Sequence, residues 1–138
     1  MAPTKRRAVV ILKGRVVKGM GKAAMFLSIP AYKRRFKSAI GYVPYPGTLN
    51  VKLSPVSTKQ VPRLTKAYHT TIKSFVLNGR GYGSVRCYAA QVNGKSGAFI
   101  IRPQKSRYPN SIIEIVARKR LKGNSIKVGS AVRLQLIL

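Results

Sequence analysis

The sequence predicts a mainly β fold, a small antiparallel barrel with one or two short helices. Three observations carry that expectation: short apolar runs that alternate with period two, two Asn-Gly pairs between such runs, and one segment, 30–40, whose apolar period becomes helical. Many short strands around one clear helix do not suit a parallel α/β sheet.

Taken in order, Ala8 to Leu12 and Arg15 to Val17 read as a strand pair or one bent strand, interrupted at Gly14. A glycine-bearing loop, Lys18 to Ala24, leads into Met25 to Ile29. Tyr32, Phe36 and Ile40 then fall at i, i+4 and i+8, one face of a helix whose other face is Lys33, Arg34, Arg35 and Lys37. Pro30 suits its first turn and Gly41 its end. Pro44-Tyr45-Pro46-Gly47 forces a tight turn, and Asn50 to Leu53 alternates as a strand. Ser54 to Thr71 is polar, contains Pro55 and Pro62 and shows no clean period, so a long surface excursion is expected. Ile72 to Leu77, Val85 to Val92 and Ala98 to Arg102 are strands, with Asn78-Gly79 and Asn93-Gly94 supplying positive-φ turn residues. Ile112 to Val116 is another strand. After the basic stretch Arg118 to Lys122, Val132 to Leu138 closes the sheet.

A chain of 138 residues with 45% hydrophobic content suits one domain, residues 8–138, behind a basic N-terminal tail, residues 1–7. Ala8 to Leu12 is too short an apolar run for a signal peptide, and no run of 18 uncharged apolar residues could span a membrane; a cytoplasmic monomer is expected. Cys87 is the only cysteine and His69 the only histidine, which excludes an intramolecular disulfide and a zinc cluster.

The charge balance is anomalous: 28 Lys and Arg stand against one acid, Glu114, for a formal net charge of +27. Typical composition would supply on the order of 16 carboxylates in a chain of this length. Such a balance implies either a polyanionic partner or deliberate removal of acids, and nonspecific nucleic-acid binding follows from the charge alone. The cations repel one another, few salt bridges can form, and stability rests on the apolar core.

Three constellations could carry chemistry. Gly19-Met20-Gly21-Lys22 lets backbone N–H groups approach an anion with Lys18 and Lys22 adding charge, although the same residues would also make a simple hairpin turn. Thr48 and Asn50, two apart in an extended segment, project to one face and offer two hard oxygen donors of the kind Mg²⁺ shares with substrate phosphates; Thr48 could equally cap the turn. Glu114 lies within the apolar strand Ile112-Ile113-Glu114-Ile115-Val116, where burial raises a carboxylate's pKa and nearby cations lower it. Its alternative role is to anchor several basic residues.

Together these stretches resemble the archaeal CTP-dependent riboflavin kinase family. The resemblance runs through Gly14 to Gly21, through Phe26-Leu27-Ser28-Ile29-Pro30 with Tyr32, Lys33 and Phe36, through Gly41-Tyr42 and Pro44 to Leu53, and through Ile112 to Ala117. It implies a six-stranded cradle-loop barrel, related to the RIFT barrels, that moves the terminal phosphoryl group of CTP to the 5′-hydroxyl of riboflavin, giving FMN and CDP. On that resemblance Met20, Gly21, Lys22, Ala23, Ala24 and Met25 wrap the nucleotide, as do Lys119, Arg120, Leu121 and Lys122. Thr48 and Asn50 match the Mg²⁺ ligands, Ser106 and Glu114 the flavin contacts, and Glu114 orients or deprotonates the attacking hydroxyl. Lys22 stands where the family commonly has an acid, Ala23 where it has glycine, and Met25 where it has an aromatic residue. With the missing acids, these departures suggest an engineered variant in which Glu114 is kept for catalysis. The competing expectation is a basic RNA-binding or ribosome-associated barrel without catalysis.

Overall fold

The computed structural model describes residues 8–19, 21–104, 108–123 and 126–137. Nine strands and three short α-helices are present among them: β1 (Val9–Val17), α1 (Lys22–Leu27), α2 (Pro30–Ile40), β2 (Leu49–Leu53), α3 (Pro55–Thr58), β3 (Thr70–Ile72), β4 (Phe75–Leu77), β5 (Arg80–Tyr82), β6 (Val85–Val92), β7 (Lys95–Pro103), β8 (Ile112–Val116) and β9 (Ala131–Ile137). A 3₁₀ turn, Val61–Lys66, joins α3 to β3.

Antiparallel pairing runs β6-β7-β8-β2-β1-β9, and Gln91↔Gln135 with Val92↔Leu134 pairs β9 back to β6. Six strands therefore close into a barrel. One edge of β6 serves two partners, β3 along Val85 to Cys87 and β9 at Gln91 and Val92. The β6–β7 register shifts between Ala90 and Val92, a bulge that bends the strand where it changes partner.

Alternation decides what fills the barrel. Val10, Leu12, Val51, Ile100, Ile113, Ile115 and Leu134 form its interior, each 0–1% exposed. Several of the intervening residues build a second apolar layer outside the barrel, where Cys87, Ile101 and Val116 pack with Leu27, Tyr32 and Phe36 of the two helices. Pro30 opens α2 at its first turn, and Gly41, at φ 89°, ends it by donating its N–H to Lys37 O at 3.0 Å. Burying Phe36 alone stabilises this packing by about 2–3 kcal/mol.

Several expectations change. Gly14 does not interrupt β1: a Cβ there would collide with the Lys52 carbonyl of β2, so glycine is what lets the two backbones close. The expected loop 18–24 becomes helical at Lys22. Segment 54–71 is no surface excursion, because Val61, Leu64 and Ala67 join the barrel core and Ser57 Oγ accepts the Lys13 N–H at 2.8 Å. Ile72 to Leu77 is split between β3 and β4, and β4 pairs with β5 across a turn whose Asn78 and Gly79 have φ 51° and 75°. No helix among the described residues is long and apolar enough to cross a membrane.

Candidate active site

Glu114 sits at the middle of β8 between Ile113 and Ile115, which point into the barrel, so its carboxyl must face outward. It is nevertheless only 8% exposed. In register it stands opposite Asn50 of β2 on one side and Ile101 of β7 on the other. Asn50 is 4% exposed, so two polar side chains lie buried next to each other on the outer face of an otherwise apolar sheet.

Thr48 completes the group. Its hydroxyl donates to Asn50 Oδ1 at 3.3 Å, and hydrogen bonding by the same side chain works to lower the Glu114 pKa. A hydroxyl oxygen that donates its one proton to Asn50 can still accept or coordinate through its lone pairs. Asn50 Nδ2 donates to the Thr48 carbonyl at 3.3 Å, which fixes the amide with its oxygen toward the Thr48 hydroxyl. Gly19 packs over that amide: a Cβ at Gly19 would strike Asn50 Nδ2 and lie 3.3 Å from the Tyr108 hydroxyl. Burial pushes the Glu114 carboxyl above the ordinary carboxylate range, while the Thr48 hydrogen bond and the field of Arg102 oppose that rise.

Three cavities meet at this group. The largest, about 730 Å³, is mostly apolar; Phe26, Ile29, Tyr32, Tyr82, Val85 and Pro103 are among its walls, and Glu114 stands at its edge. Tyr32 organises it, with edge-on contacts to Phe26, Phe75 and Tyr82 at 5.4, 5.0 and 5.8 Å and a hydroxyl that donates to Gly83 O at 2.8 Å. The second cavity, about 200 Å³, lies between Thr48, Asn50 and Glu114 and the cationic side chains of Lys18, Lys22 and Lys122. The third, also about 200 Å³, is bounded by Tyr45 to Leu49 and by Lys119 to Lys122. Lys22, Ala23, Tyr108 and Glu114 line both the first and the second; Gly47, Thr48 and Lys122 line both the second and the third. The three spaces are thus consecutive, with the carboxylate at one junction and the threonine at the other.

The residues expected at a site fall along this series. Gly21, Lys22, Ala23 and Ala24 border the central cavity, but Met25 faces only the aromatic one. Lys119, Arg120, Leu121 and Lys122 border the third. Arg118, just before them, lies 5.0 Å from the centroid of the Tyr42 ring, whose hydroxyl donates to Gly97 O at 2.7 Å. Met20 and Ser106 lie outside the described residues. Sequence reasoning missed the aromatic cavity and the contact of Gly19 with Asn50. Neither had a local signal: the aromatic residues at 26, 32, 75 and 82 are far apart in the chain, and Gly19 meets Asn50 only once β1 and β2 are paired.

Thr48 Oγ1 and Asn50 Oδ1 are two neutral hard oxygen donors, and the cavity they line with Glu114 leaves room for water and phosphate oxygens around a divalent ion, so Mg²⁺ fits these residues. A closed group of three or more His, Cys, Asp or Glu side chains is absent among the described residues.

Comparison with known proteins adds an independent line. A family model labelled CTP-dep_RFKase, with the description "Domain of unknown function DUF120", matches residues 16–136. The chain is 35% identical over 132 residues to a protein named riboflavin kinase from Pyrobaculum arsenaticum, covering 95% of this chain and 62% of that one. It is 38% identical over 126 residues to a riboflavin kinase from Ignicoccus hospitalis, covering 86% of this chain and 70% of the relative. For the Methanosarcina mazei riboflavin kinase the identity is 35% over 126 residues, with 91% and 56% covered. The chain spans about three fifths of the length of most of these relatives. With the family match running from β1 into β9, the chain belongs to the CTP-dep_RFKase family.

Proposed function

We propose that this chain transfers the terminal phosphoryl group of CTP to the 5′-hydroxyl of riboflavin. Membership of the family and relatives named riboflavin kinase support the reading. The observation that carries it is the series of three cavities with Glu114 and Thr48 at the junctions. An apolar, aromatic-walled space suits an isoalloxazine ring, a small space lined by lysines suits a phosphate chain, and a third suits the rest of the nucleotide.

In this reading the ribityl chain runs from the aromatic cavity to Glu114. The carboxylate accepts the hydroxyl proton as oxygen attacks phosphorus, and Ile101, Ile113 and Ile115 around it keep its position fixed. Thr48 Oγ1 and Asn50 Oδ1 would hold Mg²⁺, which when bound neutralises phosphate charge. Gly19 keeps the Asn50 amide in place, and Lys18, Lys22 and Lys122 supply the remaining positive charge. Phosphoryl transfer asks the protein mainly for alignment and charge neutralisation, which this neutral and cationic lining can provide.

Product analysis with riboflavin and Mg²⁺, using CTP or ATP as donor, tests the proposal. FMN and CDP should form with CTP, and Thr48→Ala combined with Asn50→Ala should lower the rate at least tenfold and raise the Mg²⁺ concentration required. Absence of FMN under all donor and salt conditions would refute it.

A further inference from the structure

A further cavity, about 550 Å³, lies apart from the site, and none of the residues that line it lines any of the other three. It is a hollow in the outer face of β6, β7 and β9. Ala89 and Phe99 are register partners there, and so are Gln91 and Gln135, next to Val92 and Leu134, which fill the barrel. The β6–β7 register shifts between Ala90 and Val92, and on the facing strand Gly97 has φ 106° with open space where a Cβ would stand. Small side chains at Ala89 and Gly97 leave the depression, Phe99 forms one wall, and Tyr68, 81% exposed, stands at the rim.

The lining of this hollow carries no charge. In a chain with 28 lysines and arginines that sets it against the other three cavities, each of which is lined by at least two cations. Its polar groups are amides. Gln91 and Gln135 stand directly opposite each other, half-buried, and share the outer face because their neighbours Val92 and Leu134 turn inward. Among the described residues neither side-chain amide has a hydrogen-bond partner.

We propose that this hollow is a second binding site for riboflavin. The choice of a flavin rests on the kinase reading and deepens it; the choice of a neutral, planar lactam rests on the lining alone. The pyrimidine edge of the flavin presents C2=O, N3–H and C4=O, an acceptor, a donor and an acceptor. A carboxamide has one carbonyl oxygen and two N–H donors, so one glutamine can take N3–H and C4=O while the other donates to C2=O. The remaining rings are flat and largely apolar, and Phe99 and Tyr68 offer them aromatic surface. A space of this volume suits several fused rings, and a single pyrimidine would leave most of it empty. Phosphate finds no partner in this lining. A second copy of the chain is a poor occupant, because it would bring +27 against +27.

Titration of the full, ¹⁵N-labelled chain with riboflavin, read by NMR at each amide and by calorimetry for stoichiometry, tests the proposal. The side-chain signals of Gln91 and Gln135 and the backbone signals of Ala89 and Gly97 should shift saturably, with two riboflavin molecules bound per chain. Gln91→Leu combined with Gln135→Leu should weaken this site about tenfold and leave the other site and the rate of FMN formation within about twofold of the parent, which also shows that the variant folds. Uridine, with the same lactam edge on a single ring, should bind there about tenfold more weakly than riboflavin or worse. If riboflavin binds once and shifts only residues of the aromatic cavity, or if uridine matches riboflavin at the two glutamines, the second flavin site is wrong and the kinase reading stands. If the glutamine signals respond to riboflavin while no FMN forms with any donor, the site stands and the kinase reading falls. If the chain binds no riboflavin at all, both fall.

Discussion

The two faces of β8 show how the same backbone serves opposite ends. Ile113 and Ile115 point into the barrel and are fully buried, as the pleat of a strand with a filled interior requires. Glu114, one residue away, is buried almost as deeply on the outer face, beside Asn50 instead of another hydrophobe. The inner face contributes to stability by removing apolar area from water. The outer face costs stability, because a carboxyl group is held where its charged form is disfavoured. In a chain with a single acid, this expensive placement supports the proposed role of Glu114 better than the charge count does.

The sharpest way to break the comparison is at Glu114. Glu114→Gln keeps the shape and removes the proposed base, so under the kinase reading FMN formation should fall about a hundredfold or more, measured at saturating CTP and riboflavin. The folded fraction should not fall with it; a variant that lost activity only by unfolding would put Glu114 among the structural residues. On the inner face the converse holds. Ile115→Ala should lower the unfolding free energy in urea by about 2–5 kcal/mol, and a change below about 1 kcal/mol would mean the barrel interior is looser than its burial suggests.

The smallest effect concerns pH. The folded-state pKa of Glu114 is raised, so from about 4.5 upward through that raised value the native chain keeps a proton that the unfolded chain has released. Stability should therefore fall as pH rises across this window and then level off, with Glu114→Gln showing no such fall. Urea midpoints between pH 4 and 7.5 would read it, and no other side-chain carboxylate is present to blur the slope. A parent chain whose stability instead rose across the window would mean that the Thr48 hydrogen bond and Arg102 outweigh burial.

What could be read from sequence follows from how local each signal is. Helix α2 was legible because Tyr32, Phe36 and Ile40 repeat at helical spacing between Pro30 and Gly41, and both Asn-Gly turns because their positive φ is a property of two residues. Helix α1 spans only six residues, too few to show a period, and Arg80-Gly81-Tyr82 carries a glycine where a strand would be expected to have a side chain. Segment 54–71 misled for a different reason: its buried Val61, Leu64 and Ala67 follow the i, i+3, i+6 spacing of a 3₁₀ turn, unlike either regular period. At the site, Thr48, Asn50 and Glu114 each stood out, but only strand pairing could make Asn50 the neighbour of Glu114. The apolar cavity depends on residues as far apart as Phe26 and Pro103, a contact order beyond any local pattern.

Closure of the sheet has a further effect on how faithfully the buried pair is aligned. Sliding β8 by one position against β2 would turn Glu114 into the greasy lumen and send isoleucines outward, and in a ring the misfit could not be absorbed at a free end; it would travel through every seam back to its origin. Alignment between amide and acid is therefore guaranteed by the topology of the whole hoop, more than by any bond the two groups make with each other.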